Sequence, residues 1–205
     1  MSRQKDWGRD TRQRIAIEAA RVMAEEGIKG FQTAKKKAAA RLAISDRHAM
    51  PSNAEVELEL RSYQQLFRSD AQPQALLKLR QTAVSAMRFL DRFKPRLVGP
   101  VLEGTADQHS HISMHVFADT SEEIALFLME SSIPYEMSEA NLRINQNERK
   151  LLPVYSFMAD DVLVELIVFE PEGLRQSPLS PVDQKPMRRA NLASVRLLLD
   201  ESDAA

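Results

Sequence analysis

The chain predicts an α+β protein, with a helical lobe of about four helices followed by a mixed β-sheet with flanking helices. Three observations carry this. Up to about residue 93 the apolar residues recur at helical spacing. From Lys94 onward they form short runs and alternations. A Pro-, Ser- and Gly-rich segment, residues 170–186, then separates the last strand from a final helix. A length of 205 residues accommodates two lobes, drawn as 1–93 and 94–205.

The helical lobe opens with TRQRIAIEAARVMAEEGIKGF. Thr11 is its candidate N-cap, Ile15, Ala19, Val22 and Met23 form its apolar stripe, and Gly27 is its stop. A second helix runs through QTAKKKAAARLA, with Thr33 near its start. A third follows Asn53 as cap and continues through Arg68 and Ser69, with Val56, Leu60, Tyr63 and Phe67 at helical spacing. The fourth begins near Pro73, a good first-turn residue, and runs to about Phe93 with Leu76, Leu79, Ala83, Ala86, Met87 and Leu90 inward.

In the second lobe RLVGPVLEG is an apolar segment bounded by Pro95 and Gly104, and HISMHVF alternates as a strand. TSEEIALFLMESS is a helix capped by Thr120 or Ser121, with Ile124, Phe127 and Leu128 on one face. IPYEM, ANLRINQ, PVYSFMA and VLVELIVFE are strand candidates, and Asp160 and Asp161 turn the last two into a hairpin. Residues 170–186 form an exposed connection or a strap across the sheet. MRRANLASVRLLLDE is the closing helix, with Leu192, Val195 and Leu199 inward.

No apolar run approaches the roughly 20 residues needed to cross a bilayer, so a membrane partner is not expected. MSRQKDWGRD carries charges and no apolar stretch, so no secretory signal is expected. The absence of cysteine excludes disulfides and thiolate metal sites and fits a reducing cytoplasm, the expected location. Residues 1–50 hold 12 Lys/Arg against 6 Asp/Glu, giving +6 of a total of −1, so the remainder carries −7. The N-terminal lobe, through Lys35, Lys36, Lys37 and Arg41, is therefore the candidate nucleic-acid surface, set against the plainer reading of a solvated helix face.

RQRIAIEAARVMAEEGIKGFQTAKKKAAARLAI resembles the opening helices of tetracycline-repressor-type DNA-binding domains. It departs from them where ISDRHAMPSNAEVELEL places Pro51, Glu55, Glu57 and Glu59 in the path of a phosphate backbone.

EGTADQHSHISMHVF sets His109, His111, Ser113 and His115 at alternate positions. Imidazole suits zinc, but His109 and His115 lie about 20 Å apart at full strand rise, so one ion cannot take both unless the chain turns near Ser110. His111 with one of them plus Glu165 is geometrically easier. The alternative is the polar face of an ordinary strand.

The order of an apolar strand, Gly-Thr, a short polar gap, Ser, an alternating strand and a later acidic strand resembles polymerase-beta-type nucleotidyltransferases. The resemblance covers about residues 94–170 and implies a nucleotidyltransferase-like fold. In that family a Gly-Ser or Gly-Thr pair faces phosphate, and two aspartates and a later carboxylate hold divalent metal. Gly104 and Thr105 match the pair, Ser110 matches the family serine, and Glu165 is positioned for the third carboxylate. The aspartate places hold His111 and Ser113, so magnesium-dependent transfer is not expected.

The runs at Pro95–Ala106, Ile133–Pro134 and Pro186–Ala190 also resemble an uncharacterised bacterial family sometimes labelled as a cell-wall amino-acid ligase, although this chain has no G-x-x-x-x-G-K-[ST] loop. The reading is a vestigial transferase-like binding or regulatory protein without a resident cofactor. A degenerate or zinc-dependent nucleotidyltransferase-type enzyme with zinc on the histidines, a nucleotide at Gly104–Thr105, Ser110, His111, Ser113 and Glu165, and nucleic acid on the basic helices are the alternatives.

Overall fold

The computed structural model describes residues 2–46, 49–67 and 71–203. The chain divides into two compact units, Met1–Gln72 with Pro181–Asp183, and Pro73–Ser180 with Gln184–Ala205.

The first unit holds α1 (Ser2–Glu26), α2 (Phe31–Arg41) and α3 (Asn53–Phe67). Helix α1 starts well before Thr11, which is a buried mid-helix residue and not its cap. Ile15, Ala16, Ala19 and Val22 pack with Ala34 and Ala38 of α2 and Val56 of α3. The small alanines let the helices approach closely. Helix α3 is capped by Ser52, not Asn53: the Glu55 amide donates to Ser52 Oγ at 3.2 Å, and the Ser52 amide donates to Glu55 Oε2 at 2.6 Å. This reciprocal box satisfies two otherwise orphaned donors. The expected continuation through Arg68 and Ser69 lies outside the described residues.

The second unit is built on a five-stranded mixed sheet, ordered β1 (Arg96–Val98), β2 (Ile112–Phe117), β5 (Val162–Phe169), β4 (Arg149–Ala159) and β3 (Glu136–Arg143). Strands β2 and β5 are parallel, and the other pairs are antiparallel. The two segments IPYEM and ANLRINQ contribute to one strand, β3. Asp160 and Asp161 close the β4–β5 hairpin with φ of 49° and 62°, the left-handed pair a two-residue turn requires.

Alternation sends Ile112, Met114 and Val116 of β2, and Val164, Leu166 and Val168 of β5, to one face. There they join α4 (Ala71–Phe89), α6 (Glu122–Glu130) and α7 (Leu192–Asp203) through Leu79, Met87, Leu90, Ile124, Leu128 and Val195. Helix α4 thus belongs to the sheet's core, and the division falls at Gln72/Pro73. The boundary at 93/94 followed the change from helix to strand, which marks a change of element and not of core.

The other face carries Ser113, His115 and Phe117 beside Glu165, Ile167 and Phe169. Its far end is closed by Phe117, Leu152 and Phe169, with Leu174 packed on them from the segment after β5. Of the Pro-rich connection, residues 171–180 and 184–190 form a strap on this unit: the Leu179 amide donates to Arg143 O at 2.7 Å and the Met187 amide to Pro178 O at 2.8 Å. The closing helix starts later than expected, at Leu192, where Asn191 Oδ1 accepts from the Ser194 amide at 2.9 Å. Ala190 pairs instead with Leu97 as a bridge beside β1.

Candidate functional site

Strand β1 runs into Gly99, which adopts φ 71° and ψ −155°, a region open essentially to glycine alone, and then into α5 (Pro100–Glu103). Gly104 ends α5 in the left-handed conformation, with φ 81°. The amides of Thr105 and Ala106 donate to Pro100 O at 3.0 and 3.2 Å, and the Gly104 amide turns to the same carbonyl. The Gly-Thr pair is therefore the cap of a short helix, and its amide hydrogens point inward, not toward a phosphate.

Residues 107–110 close a second turn. Asp107 Oδ1 accepts from the His109 amide at 2.9 Å and from Ser110 Oγ–H at 3.2 Å, while the Asp107 amide donates to Ser110 Oγ at 3.0 Å. Ser110 thus shapes the loop. The buried Asp107 carboxylate is occupied by that work.

This turn delivers His111 to the head of β2. Its Nε2 lies 2.7 Å from Glu165 Oε2, with the two side chains 20% and 32% exposed. Ser113 and Glu165 are direct partners across the parallel β2–β5 pair, and Ser156 flanks Glu165 from β4. His111 and Glu165 therefore meet at one end of the open face, with Ser113 beside Glu165 in register. They bring one carboxylate, and it is engaged by an imidazole. A magnesium ion, which prefers near-octahedral oxygen ligation, finds a poor donor set here.

The three histidines do not share a centre. His109 is exposed in the turn, where its Nε2 lies 3.2 Å from Gln108 Nε2. His115 is four residues beyond His111, about 13 Å along the strand, and completely buried. No group of three His, Asp or Glu side chains suited to a metal ion occurs among the described residues.

His115 belongs to an arrangement that sequence reasoning missed. Its Nδ1 accepts from Arg189 Nε at 2.9 Å, and Arg189 Nη1 donates to Gly173 O at 2.6 Å. The Arg189 guanidinium carbon lies 5.3 Å from the Phe117 ring and 5.0 Å from that of Phe169. Burial first, and the Arg189 charge second, push His115 down to about 3. Arg189 was read as part of a helix. The bulk of Phe117 and Phe169 on the face of His115 was the available signal that something covers them.

The basic residues of α2 are largely committed within their own unit. Lys35 is buried and donates to Pro51 O at 3.0 Å and Asn53 Oδ1 at 2.7 Å, tying α2 to the start of α3. Arg41 pairs with Glu18 at 3.2 Å and Glu26 at 2.6 Å, and Lys37 with Glu26. Lys36 is exposed.

No family model matches the chain, and no curated protein matches it. Among solved structures, the chain is similar to Cid1 poly(U) polymerase, solved with MgGTP bound, at 18% identity and a TM-score of 0.32. The similarity covers 45% of this chain and 32% of that one, so the chain spans about a third of the polymerase. The class defined by the elements themselves is α+β, a five-stranded mixed sheet with helices on one face and a strap on the other. No helix among the described residues is long and apolar enough to cross a membrane.

Proposed function

We propose that the chain is a non-catalytic, nucleotidyltransferase-like binding module. The observation that carries this is the 2.7 Å contact between His111 Nε2 and Glu165 Oε2. The reading is supported by His111 lying against Glu165 and by Ser113 being the register partner of Glu165, the three positions that the resemblance points to. The chemistry at those places differs. Phosphoryl transfer needs hard, anionic oxygens to hold metal between attacking and leaving groups. Here an imidazole and a hydroxyl stand in two of those positions, and the imidazole pairs with one oxygen of the single carboxylate.

The zinc reading has less support, because His111 and Glu165 supply two ligands where a catalytic zinc site uses three from the protein. The nucleic-acid reading loses Lys35 to burial, and Lys37 and Arg41 to partners on α1.

The test is transfer of labelled nucleotide by the purified full chain with magnesium, manganese or zinc. The expected result is no turnover with any of them. Multiple turnovers that disappear in Glu165→Gln would overturn the reading.

A further inference from the structure

Arg189 is a half-buried cation whose acceptors are all neutral: His115 Nδ1, the Gly173 carbonyl and the Gln176 carbonyl at 3.4 Å. Its neighbour Arg188 sits at the surface with Glu103 at 3.1 Å. Among the described residues no such carboxylate meets Arg189. A second cation is close, because Arg96 is the register partner of His115, and burial together with the Arg96 charge lowers Arg189 to about 10.

Two donors are left over. Arg189 Nη2 and His115 Nε2 are buried and have no hydrogen-bond partner. The tautomer follows from geometry: Nδ1 accepts from the guanidinium, so the ring proton sits on Nε2. A buried donor without an acceptor destabilises the fold, and a charged one does so more. In a guanidinium, Nε–H and Nη2–H are the parallel teeth that grip two oxygens of an oxyanion. Imidazole, with a single lone pair, fills one tooth only. This corner of the open face therefore has positive charge and donors in excess, and lacks negative charge and acceptors.

We propose that Arg189 and His115, with Arg96 beside them, form a binding site for a doubly charged oxyanion of the phosphate class, enclosed between the open face and the strap. A phosphate dianion balances two arginines, and one of its oxygens can take the open Nη2–H tooth while His115 Nδ1 keeps the other and holds the guanidinium in place; a carboxylate balances only one cation. Because both spare donors are shielded from solvent, the anion reaches them when the strap shifts, and the bound state is closed over. The site stands on Arg189 and His115 and not on the reading of His111 and Glu165, so either can fail without the other.

The experiment titrates inorganic phosphate into the full chain, with chelator present and ionic strength held constant with chloride, and reads the unfolding temperature. The expected result is a saturable rise that is lost in Arg189→Lys, which keeps the charge but removes the fork. No saturable rise in the wild-type chain, or the same rise in Arg189→Lys, overturns the proposal. Should Arg189→Lys fail to fold, Arg96→Gln decides: apparent affinity weakened several-fold supports the site, and unchanged affinity overturns it.

A nucleoside monophosphate run in parallel separates the two sources of such a group. Binding on the order of tenfold tighter than phosphate, about 1.4 kcal/mol, assigns the site to a nucleotide's phosphate. Equal binding assigns it to the free ion or a small phosphorylated compound.

Discussion

Acidification from pH 7 to 4.5 provides a sharp check on the buried imidazole. His115 is completely buried and held near 3, against an ordinary value of 6.5, by burial and the Arg189 charge. Its folded value is depressed, so the stability it contributes is present above about pH 6.5 and is lost as pH falls toward 3. In the unfolded chain the ring takes up a proton across this window that the folded chain refuses. Integrating that difference from pH 7 to 4.5 gives a loss of about 2.5 kcal/mol from this one residue.

The Arg189 guanidinium bonded to the ring does not titrate in this window, and carboxylate effects cancel in a comparison with His115→Gln. Glutamine keeps an acceptor for Arg189 Nε and carries no titrating proton. The assay is urea unfolding in phosphate-free buffer at a series of pH values, followed by the near-ultraviolet circular dichroism of Tyr135 and Tyr155, whose rings pack 5.4 Å apart in the sheet unit. The wild-type chain is expected to lose about 2.5 kcal/mol more than the variant over the window. Parallel profiles would show that His115 titrates like an exposed imidazole, and the reasoning about the strap would be refuted.

Two further predictions concern packing. A Cβ added at Gly173 would lie 2.9 Å from Phe169 Cβ and 3.1 Å from its Cδ1, so Gly173→Ala is expected to cost about 1–3 kcal/mol in thermal unfolding; an unchanged midpoint would mean that the strap does not rest on Phe169. Lys35→Ala should cost about 1–3 kcal/mol by stranding its acceptors, whereas Lys36→Ala, at an exposed position, should stay within about 0.5 kcal/mol. Chemical denaturation of the two variants checks the contrast, and equal losses would argue against Lys35 as an internal tie between α2 and α3.

The candidate site was legible in part. Alternation put His111 and Ser113 on one side of β2 and the resemblance pointed to Glu165; the structure places Glu165 opposite Ser113 and against His111. Gly104 and Thr105 read as a phosphate-facing pair, but with Gly104 in the left-handed conformation the amide hydrogens close onto Pro100 O. Period-two spacing also grouped His109 and His115 with them. One lies in a turn held by Asp107, and the other is buried beneath Arg189 from a segment about 70 residues later.

What the sequence determined by itself is what depends on neighbours along the chain. Helical spacing located α1 to α4, alternation located β2, and paired aspartates located the β4–β5 turn. The tertiary structure decided depth and allegiance. It assigned α4 to the sheet's core, buried Lys35 among carbonyl and amide acceptors, and drew Met187–Ala190 out of the expected helix, with Ala190 bridged to Leu97 of β1. A periodic pattern says which side a residue faces. What covers that side is set by free energy gained between distant segments, and short-range spacing does not encode it.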